Sequence, residues 1–283
     1  MVTSPALALF PGPTRPKPGR RAVDSWAVSE REHVAENREA WNRFAEEYQR
    51  LNETQIREMA FTGDIAWGVW AIPESRLNLL GDVEGKDVLE FGCGGGQWSA
   101  ALARRGARPV GLDLSEKQLD HARRLMEETG MRFPLVQASG EEVPLRNASF
   151  DIVFADHGAF SFADPYRTVP EAARVLRPGG LLVFSHVSQL YSMATPVHAP
   201  HAGPRLVFDY FEELRRIPEP GAPTDFNLPF GEWIAVFRGA GLVVEDLLEP
   251  RPGPDAVSTY RDADDLAWAR RWPSENIWRL RKT

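Results

Sequence analysis

The chain has 283 residues, of which 43% are hydrophobic and 26% are charged, and these values are typical of one large globular domain. Its formal net charge of -7 argues against a nucleic-acid surface, because such a surface draws its affinity from clustered Lys and Arg. The single cysteine excludes an intrachain disulfide and no apolar run is long enough to span a bilayer, so a cytoplasmic protein without a membrane partner is expected.

The amino-terminal part is predicted to contain a tail followed by helices. Residues 1–28 are rich in Pro and Gly and show no period, which predicts a disordered tail. Residues 29–85 are predicted to form an N-terminal helical cap. Within it, apolar residues recur at close to helical spacing from Ser29 to Leu51, and a second stretch over 56–80 has Pro73 placed to open a helix.

Residues 86–283 are predicted to form one α/β domain, because short apolar runs alternate with helical stretches. Continuous apolar strands that alternate with helices indicate a parallel sheet covered on both faces. An insert over residues 188–229, rich in Pro and aromatic residues, is expected to build a substrate pocket. The predicted strands cover 87–91, 109–113, 133–136, 150–155, 181–185, 242–248 and, as a last edge strand, 277–281; the predicted helices cover 97–105, 115–129, 166–177, 231–239 and 262–271.

A glycine-rich turn follows the first of these strands. That strand ends in Glu90-Phe-Gly92-Cys-Gly94-Gly-Gly96, and the second strand ends in Asp113, 21 residues after Gly92 (113 minus 92). Glycines at a strand-to-helix turn let the backbone approach a ligand closely. A carboxylate at the end of the second strand can accept hydrogen bonds from ribose hydroxyls. Together these residues predict a nucleoside site.

The spacing of the turn argues against NAD. The fingerprint G-x-G-x-x-G needs a third glycine or alanine, and Gln97 or Ser99 stands there, depending on which glycine starts the motif. A sulfonium nucleoside has no pyrophosphate, but it carries an ammonium group and a positive sulfur. The carboxylate of Glu90 suits that charge.

Four segments in order resemble the class I S-adenosylmethionine-dependent methyltransferases, in particular the small-molecule branch with ubiquinone, menaquinone and natural-product enzymes. The resemblance implies a Rossmann-like methyltransferase fold with a mostly parallel seven-stranded sheet, helices on both faces and an N-terminal helical cap. It also implies S-adenosylmethionine as cofactor and S-adenosylhomocysteine as product. The segments are Val88-Leu-Glu90-Phe-Gly92-Cys-Gly94-Gly-Gly96, Gly111-Leu-Asp113-Leu-Ser115, Ser149-Phe-Asp151-Ile-Val-Phe154 and Arg174-Val-Leu-Arg-Pro178-Gly-Gly180.

The resemblance further implies cofactor contacts: the glycines line the methionine end, Asp113 holds the ribose, Leu114 lies against adenine, and Tyr48 closes over the cofactor. Ser139 stands where relatives often carry an acidic residue. The adenine contact is therefore open between the Ser139 hydroxyl, Glu141 and a backbone group. The predicted cofactor-binding residues are Tyr48, Glu90, Gly92, Gly94, Gly96, Asp113, Leu114, Gln118, Ser139, Gly140, Glu141 and Asp156.

Two histidines are candidates for a general base, because an imidazole can take a proton near neutral pH. His157 follows Asp156 at the end of the fourth strand, where ligands of open α/β sheets bind, although it could instead be a packed residue tied to Asp156. His186 ends the fifth strand and is the second candidate. His201 lies in a Pro-rich loop without a carboxylate or cysteine at ligand spacing, so no metal site is expected.

The predicted activity is methyl transfer to an oxygen, nitrogen or carbon of a small organic molecule, a secondary metabolite. The segment Asp156-His157-Gly158-Ala159 lacks the amino-methylating signature of Asn or Asp followed by Pro-Pro and an aromatic residue. Trp67 and Trp70 are either packing residues or part of an apolar substrate pocket. A natural-product enzyme with non-methylating chemistry and a non-catalytic S-adenosylmethionine-binding protein stay open as alternatives, and so does homo-oligomerisation.

Overall fold

The computed structural model describes residues 32–196, 199, 201–211 and 222–283. These residues form a seven-stranded sheet with helices on both faces, which confirms the predicted fold class. The tail predicted over residues 1–28 and part of the predicted insert lie outside the described residues. The elements are α1 (Glu32–Thr62), β1 (Ala66–Trp67), β2 (Ile72–Pro73), α2 (Glu74–Leu77), β3 (Asp87–Phe91), α3 (Gln97–Arg104), β4 (Arg108–Asp113), α4 (Glu116–Thr129), β5 (Leu135–Gln137), β6 (Phe150–Asp156), α5 (Gly158–Phe162), α6 (Pro165–Val175), β7 (Leu176–Val187), α7 (Gln189–Ala194), α8 (Phe230–Gly239), β8 (Leu242–Leu248), α9 (Ala263–Ala269) and β9 (Glu275–Lys282).

The large sheet has the strand order β5-β4-β3-β6-β7-β9-β8, and β9 runs antiparallel to both of its neighbours. The prediction that the last strand lies at an edge is therefore wrong. Burial explains the placement: Ile277, Trp278 and Leu280 of β9 are each no more than 1% exposed, whereas β8 is largely exposed or half-buried. An apolar strand buried on both faces needs neighbours on both sides.

Alternate residues of the central strands supply two cores, one on each face of the sheet. On one face Leu89 and Phe184 pack with Val169 of α6 and Phe237 of α8. On the opposite face the core is built from β3, β6, β7 and α3, and it includes Val88, Phe154, Val183, Trp98 and Leu102. The sheet is thus covered by helices on both sides, as parallel sheets require.

Helix α1 is longer than the sequence indicates, since it runs for 31 residues to Thr62 and does not end near Leu51. Ile56 and Ala60 continue its buried side and pack against Ala100 of α3 and Leu125 of α4. Packing along the domain therefore holds the last turns in the helix. In the part of the chain that the structure describes, no helix combines the length and the apolar character needed to cross a membrane.

Pro73 does precede a helix, but that helix has only four residues. Its end is set by Asn78, whose φ of 50° lies in the left-handed region. The buried carboxylate of Glu74 joins this short helix to its surroundings, because it accepts hydrogen bonds from Trp67 Nε1 and from the backbone N–H of Leu80, each at 2.7 Å. These hydrogen bonds link α2 to β1 and to the residues that precede β3.

Candidate functional site

A cavity of about 330 Å³ lies at the carboxyl ends of β3, β4 and β6. Helix α1 supplies one side of its lining, including Trp41, Phe44 and Tyr48. The segment before α9 supplies Tyr260 and Arg261. This is the edge at which open α/β sheets bind ligands, next to the point where the strand order reverses.

The turn between β3 and α3 forms the part of the cavity nearest the sheet. Gly92 has a φ of 80°, and a Cβ atom there would lie 2.7 Å from both the backbone N of Ala159 and Cα of Gly158. Gly94 also has a positive φ, of 52°, and lines the cavity. The turn therefore requires glycine for close backbone approach and leaves open space above it.

Asp113 ends β4 beside this turn. Its Oδ2 accepts a hydrogen bond from the backbone N–H of Gly94 and its Oδ1 from that of Ser115, each at 2.8 Å. Burial raises the pKa of Asp113 to about 6, although these backbone hydrogen bonds act in the opposite direction. The carboxylate is thus held rigidly at the cavity, where each oxygen keeps a further lone pair for a ligand hydroxyl.

Glu90 lies at the end of β3 and is 3% exposed. Its Oε2 accepts a hydrogen bond of 2.5 Å from the Ser99 hydroxyl. Burial raises the pKa of Glu90 to about 8, and the nearby carboxylates of Asp113 and Asp156 raise it further. A carboxyl group in this environment ionises readily only when a cation binds beside it.

His157 lies directly after β6 in a backbone conformation that only a few per cent of non-glycine residues adopt, with a φ of 60°. Its Nε2 is 2.5 Å from Oε1 of Glu275, the first residue of β9. Glu275 is 1% exposed and also accepts a hydrogen bond of 2.8 Å from the backbone N–H of Val69. Burial lowers the pKa of His157, but the hydrogen bond and charge of Glu275 outweigh this effect and raise it.

Asp156 holds the backbone next to this pair. Its Oδ1 accepts hydrogen bonds from the Ser185 hydroxyl at 2.6 Å and from the backbone N–H of Gly68 at 2.9 Å. Ser185 in turn accepts the backbone N–H of His157 at 3.0 Å. Hydrogen bonds from three separate segments therefore stabilise the unusual conformation of His157.

Comparisons with known proteins agree with this geometry. The chain matches a family model described as a methyltransferase domain over residues 89–184. A ubiquinone biosynthesis O-methyltransferase of Aromatoleum aromaticum is 36% identical over 137 residues, which span 46% of this chain and 58% of that protein. Another ubiquinone biosynthesis O-methyltransferase, from Coxiella burnetii, is 32% identical over 186 residues, which span 58% of this chain and 79% of that protein. The chain belongs to the class I S-adenosylmethionine-dependent methyltransferases.

A solved structure extends the likeness beyond the matched domain. A Burkholderia thailandensis 1,6-didemethyltoxoflavin-N1-methyltransferase, solved with S-adenosylhomocysteine, aligns with a TM-score of 0.58 at 17% identity and covers 92% of this chain and 93% of that one. At this identity the likeness shows the fold. S-adenosylmethionine is the cofactor of the methyltransferase, in agreement with the prediction from the glycine-rich turn.

The residues of the methyltransferase fit this cofactor. Glu90 is a buried acid that needs a cation, and the methionine part of S-adenosylmethionine carries an ammonium group. The turn at Gly92 and Gly94 leaves room for that part, and Asp113 retains acceptor capacity for ribose hydroxyls. These assignments stay predictions for each residue.

The four residues predicted for the adenine end are all part of the cavity lining: Leu114, Ser139, Gly140 and Glu141. Glu141 already has partners: its Oε1 is 2.5 Å from Nε2 of His33 on α1 and accepts the backbone N–H of Asp164 at 2.9 Å. We therefore expect the backbone near Ser139, or its hydroxyl, to contact adenine.

Tyr48 on α1 and Gln118 on α4 also line the cavity. The hydroxyl of Tyr48 is 2.8 Å from that of Tyr260, which joins α1 to the segment before α9. Oε1 of Gln118 accepts a hydrogen bond of 2.7 Å from Nε2 of Gln49 on α1. Both predicted residues line the cavity, and both are held by partners that sequence spacing does not indicate.

Two predicted site residues are not brought to the cavity. His186 is 1% exposed and lies in the core, where its Nε2 accepts the indole N–H of Trp278 at 3.2 Å. Burial lowers the pKa of His186 to about 3. Because His186 is absent from the cavity lining, we do not expect it to contact the acceptor. Gly96 caps α3 with a φ of 75° and packs against Ala122 and Phe133, so its role is in the turn.

Trp67 and Trp70 are not among the residues that line the cavity. Trp67 is 1% exposed and packs against Trp98 and Phe154, while the indole N–H of Trp70 donates to the Ser274 hydroxyl at 3.0 Å. The structure therefore supports the interpretation of Trp67 and Trp70 as packing residues. The Trp, Tyr and Phe side chains that do line the cavity lie on α1, α3 and α5 and in the segment before α9.

His201 is closer to carboxylates than its sequence neighbourhood suggests. Its Nε2 is 3.3 Å from Oδ2 of Asp262, and the ligand atoms of His201, Asp262 and Asp264 lie within 4.8 Å of one another. Sequence spacing does not indicate these carboxylates, because the fold brings a distant segment to this loop. The same three residues do not line the cavity.

Proposed function

We propose that the methyltransferase transfers the methyl group of S-adenosylmethionine to a hydroxyl oxygen of a small organic molecule, with His157 as general base and Glu275 as its positioning residue. The observation that carries this proposal is the 2.5 Å contact between His157 Nε2 and Glu275 Oε1 at the wall of the cavity. A base is needed when the acceptor atom must lose a proton, as a hydroxyl does.

The contact orients the imidazole for this task. In the tautomer whose Nε2–H donates to Glu275, the other ring nitrogen, Nδ1, can accept a proton, and among the described residues it has no hydrogen-bond partner. After proton transfer the imidazolium lies against a carboxylate that is 1% exposed. Glu275 therefore stabilises the charged form of His157 in the position where it forms.

The rest of the cavity supplies alignment and excludes water. When bound, S-adenosylmethionine provides an activated methyl group, so in-line placement of the acceptor is the main requirement. Correct placement is worth up to about 7 to 11 kcal/mol. Trp41, Phe44 and Phe162 give the cavity an apolar lining that keeps water away from the reacting atoms.

Oxygen is favoured over nitrogen or carbon for two reasons. The relatives from Aromatoleum aromaticum and Coxiella burnetii are both called O-methyltransferases. A hydroxyl also has to lose a proton, and this requirement agrees with the proposed role of His157. That the acceptor is a secondary metabolite stays a prediction from the sequence.

The test uses S-adenosylmethionine with a panel of phenols and measures S-adenosylhomocysteine formation and its pH dependence. We expect His157→Asn and Glu275→Gln to lower kcat by about 100-fold, while S-adenosylhomocysteine affinity changes less than about twofold. His121→Asn is the matched control, because His121 lies on α4 outside the cavity lining.

The pH profile separates a base from a merely structural histidine. Because Glu275 raises the pKa of His157, the acidic limb of kcat should lie above the ordinary histidine value of about 6.5 and move down in Glu275→Gln. Full turnover in His157→Asn, or an acidic limb that stays in place in Glu275→Gln, would contradict the assignment. No S-adenosylhomocysteine formation with any phenol would favour the non-catalytic alternative.

A further inference from the structure

The cavity contains one guanidinium group, that of Arg261, which forms no ion pair in the part of the chain that the structure describes. Among the described residues that line the cavity, Arg261 is the only Arg or Lys. Its Nε is buried without a hydrogen-bond partner. No carboxylate in the described ranges forms an ion pair with it. The residue as a whole is half-buried, but a buried N–H left without an acceptor is costly, so a ligand that supplies one would bind favourably.

The plane of this guanidinium is set by an aromatic ring. Cζ of Arg261 lies 4.4 Å from the ring centre of Tyr191 on α7, and the hydroxyl of Tyr191 donates to Asp265 at 2.6 Å. Stacking on an aromatic face orients a guanidinium without using its N–H groups. The group is therefore held in place, and its donors are left for an acceptor in the cavity.

Arg261 lies at the end of the cavity that holds the proposed base. Its charge acts on the imidazole of His157, where it opposes the effect of Glu275 on the pKa. The preceding residue, Tyr260, contacts Tyr48 of α1 through their hydroxyls. The main charges that act on Glu90, at the predicted methionine end, are the carboxylates of Asp113 and Asp156.

We infer that Arg261 binds an anionic group of the methyl acceptor and that the acceptor is a hydroxylated organic acid. This inference rests on the proposed function, since it places the acceptor hydroxyl at His157 and the acid group at Arg261. A carboxylate matches the fork of donors on a guanidinium. The protein's own carboxylates near His157 already have partners: Asp156 accepts a hydrogen bond from Ser185, and Glu275 contacts His157.

A carboxylate could also come from the methionine part of the cofactor, so the experiment has one arm for each source. Protein saturated with S-adenosylhomocysteine is titrated by calorimetry with three acids and their methyl esters: 4-hydroxybenzoate, 4-hydroxyphenylacetate and 3,4-dihydroxybenzoate. A separate titration measures S-adenosylhomocysteine affinity. Arg271→Met is the matched control for Arg261→Met, because Arg271 also stacks on an aromatic ring, that of Trp272, but is exposed and outside the cavity lining.

We expect the unmodified protein to bind at least one acid about 10-fold or more tightly than its ester, as a hydrogen-bonded charge pair implies. Arg261→Met should remove this preference and Arg271→Met should keep it. S-adenosylhomocysteine affinity should stay within about twofold in both variants, and this result also shows that they fold.

Three results would overturn the inference. The unmodified protein could show no preference for any acid, or the preference could survive in Arg261→Met. Alternatively, Arg261→Met could weaken S-adenosylhomocysteine binding about 10-fold, which would assign the guanidinium to the cofactor carboxylate. Failure of the unmodified protein to bind S-adenosylhomocysteine would instead refute the proposed function, and with it the inference.

Discussion

Cofactor binding should release protons, and the ionisation of Glu90 should determine the number released per cofactor bound. Burial raises the pKa of this carboxyl to about 8 in the free protein. If the ammonium group of the cofactor binds beside Glu90, the carboxylate form is favoured and the pKa falls. Binding then converts a neutral carboxyl into a carboxylate, and its proton leaves for the solvent.

The size of the effect follows from two pKa values. At pH 7 a carboxyl with a pKa of about 8 is roughly 90% protonated, and at its ordinary value of 4.5 it is about 99% ionised. Asp113, with a pKa of about 6, is already about 90% ionised at pH 7 and adds little. We therefore expect about 0.9 proton released per cofactor bound. The association constant should rise about tenfold per pH unit between pH 6 and pH 7.5.

Calorimetric titration with S-adenosylhomocysteine in buffers of different ionisation enthalpy measures the released protons directly. Glu90→Gln keeps the shape of the side chain and the contact with Ser99 but cannot ionise, so its binding should release about 0.1 proton and lose most of its pH dependence. An unmodified protein that releases no proton at pH 7, with an affinity independent of pH, would refute the placement of the ammonium group at Glu90.

Two further changes test the cofactor site and the fold. Asp113→Ala should weaken S-adenosylhomocysteine binding by about 10-fold or more, because ribose acceptors and the anchor of Gly94 are lost together; unchanged affinity in calorimetry would exclude a ribose contact. Glu74→Ala should lower the free energy of unfolding by about 2 to 5 kcal/mol, since it leaves two buried donors unpaired. Exposed Glu84→Ala is its control in urea titrations and should change stability by less than about 0.5 kcal/mol.

The strands of the core were predictable because local pattern determines them. β3 and β8 have the predicted bounds, and α3 and α4 differ from prediction by one residue at one end. β7 is longer than its predicted apolar segment, since its pairing with β6 and β9 extends through residues of mixed character. The register of a strand and the identity of its neighbours depend on tertiary packing, which a single sequence does not display.

Cofactor residues were likewise easier to predict than acceptor residues. The glycine-rich turn and Asp113 lie within one continuous β-α-β segment, so spacing alone brings them together. Glu275 is 118 residues from His157 and lies just outside the predicted last strand, and Arg261 adjoins a predicted helix without any motif. No sequence periodicity predicts that Glu275 and Arg261 lie near His157. The placement of β9 between β7 and β8 is what brings Glu275 to the cavity.

That placement also constrains how the enzyme is assembled during synthesis. β8 leaves the ribosome before β9, yet it cannot join the sheet until β9 has paired with β7. In the interval β7 presents an open row of backbone donors and acceptors, which can pair wrongly with a neighbouring nascent chain. Insertion of the last strand would close this edge and deliver Glu275 to His157 in the same step, so an incompletely folded molecule could bind cofactor before its proposed base is in position.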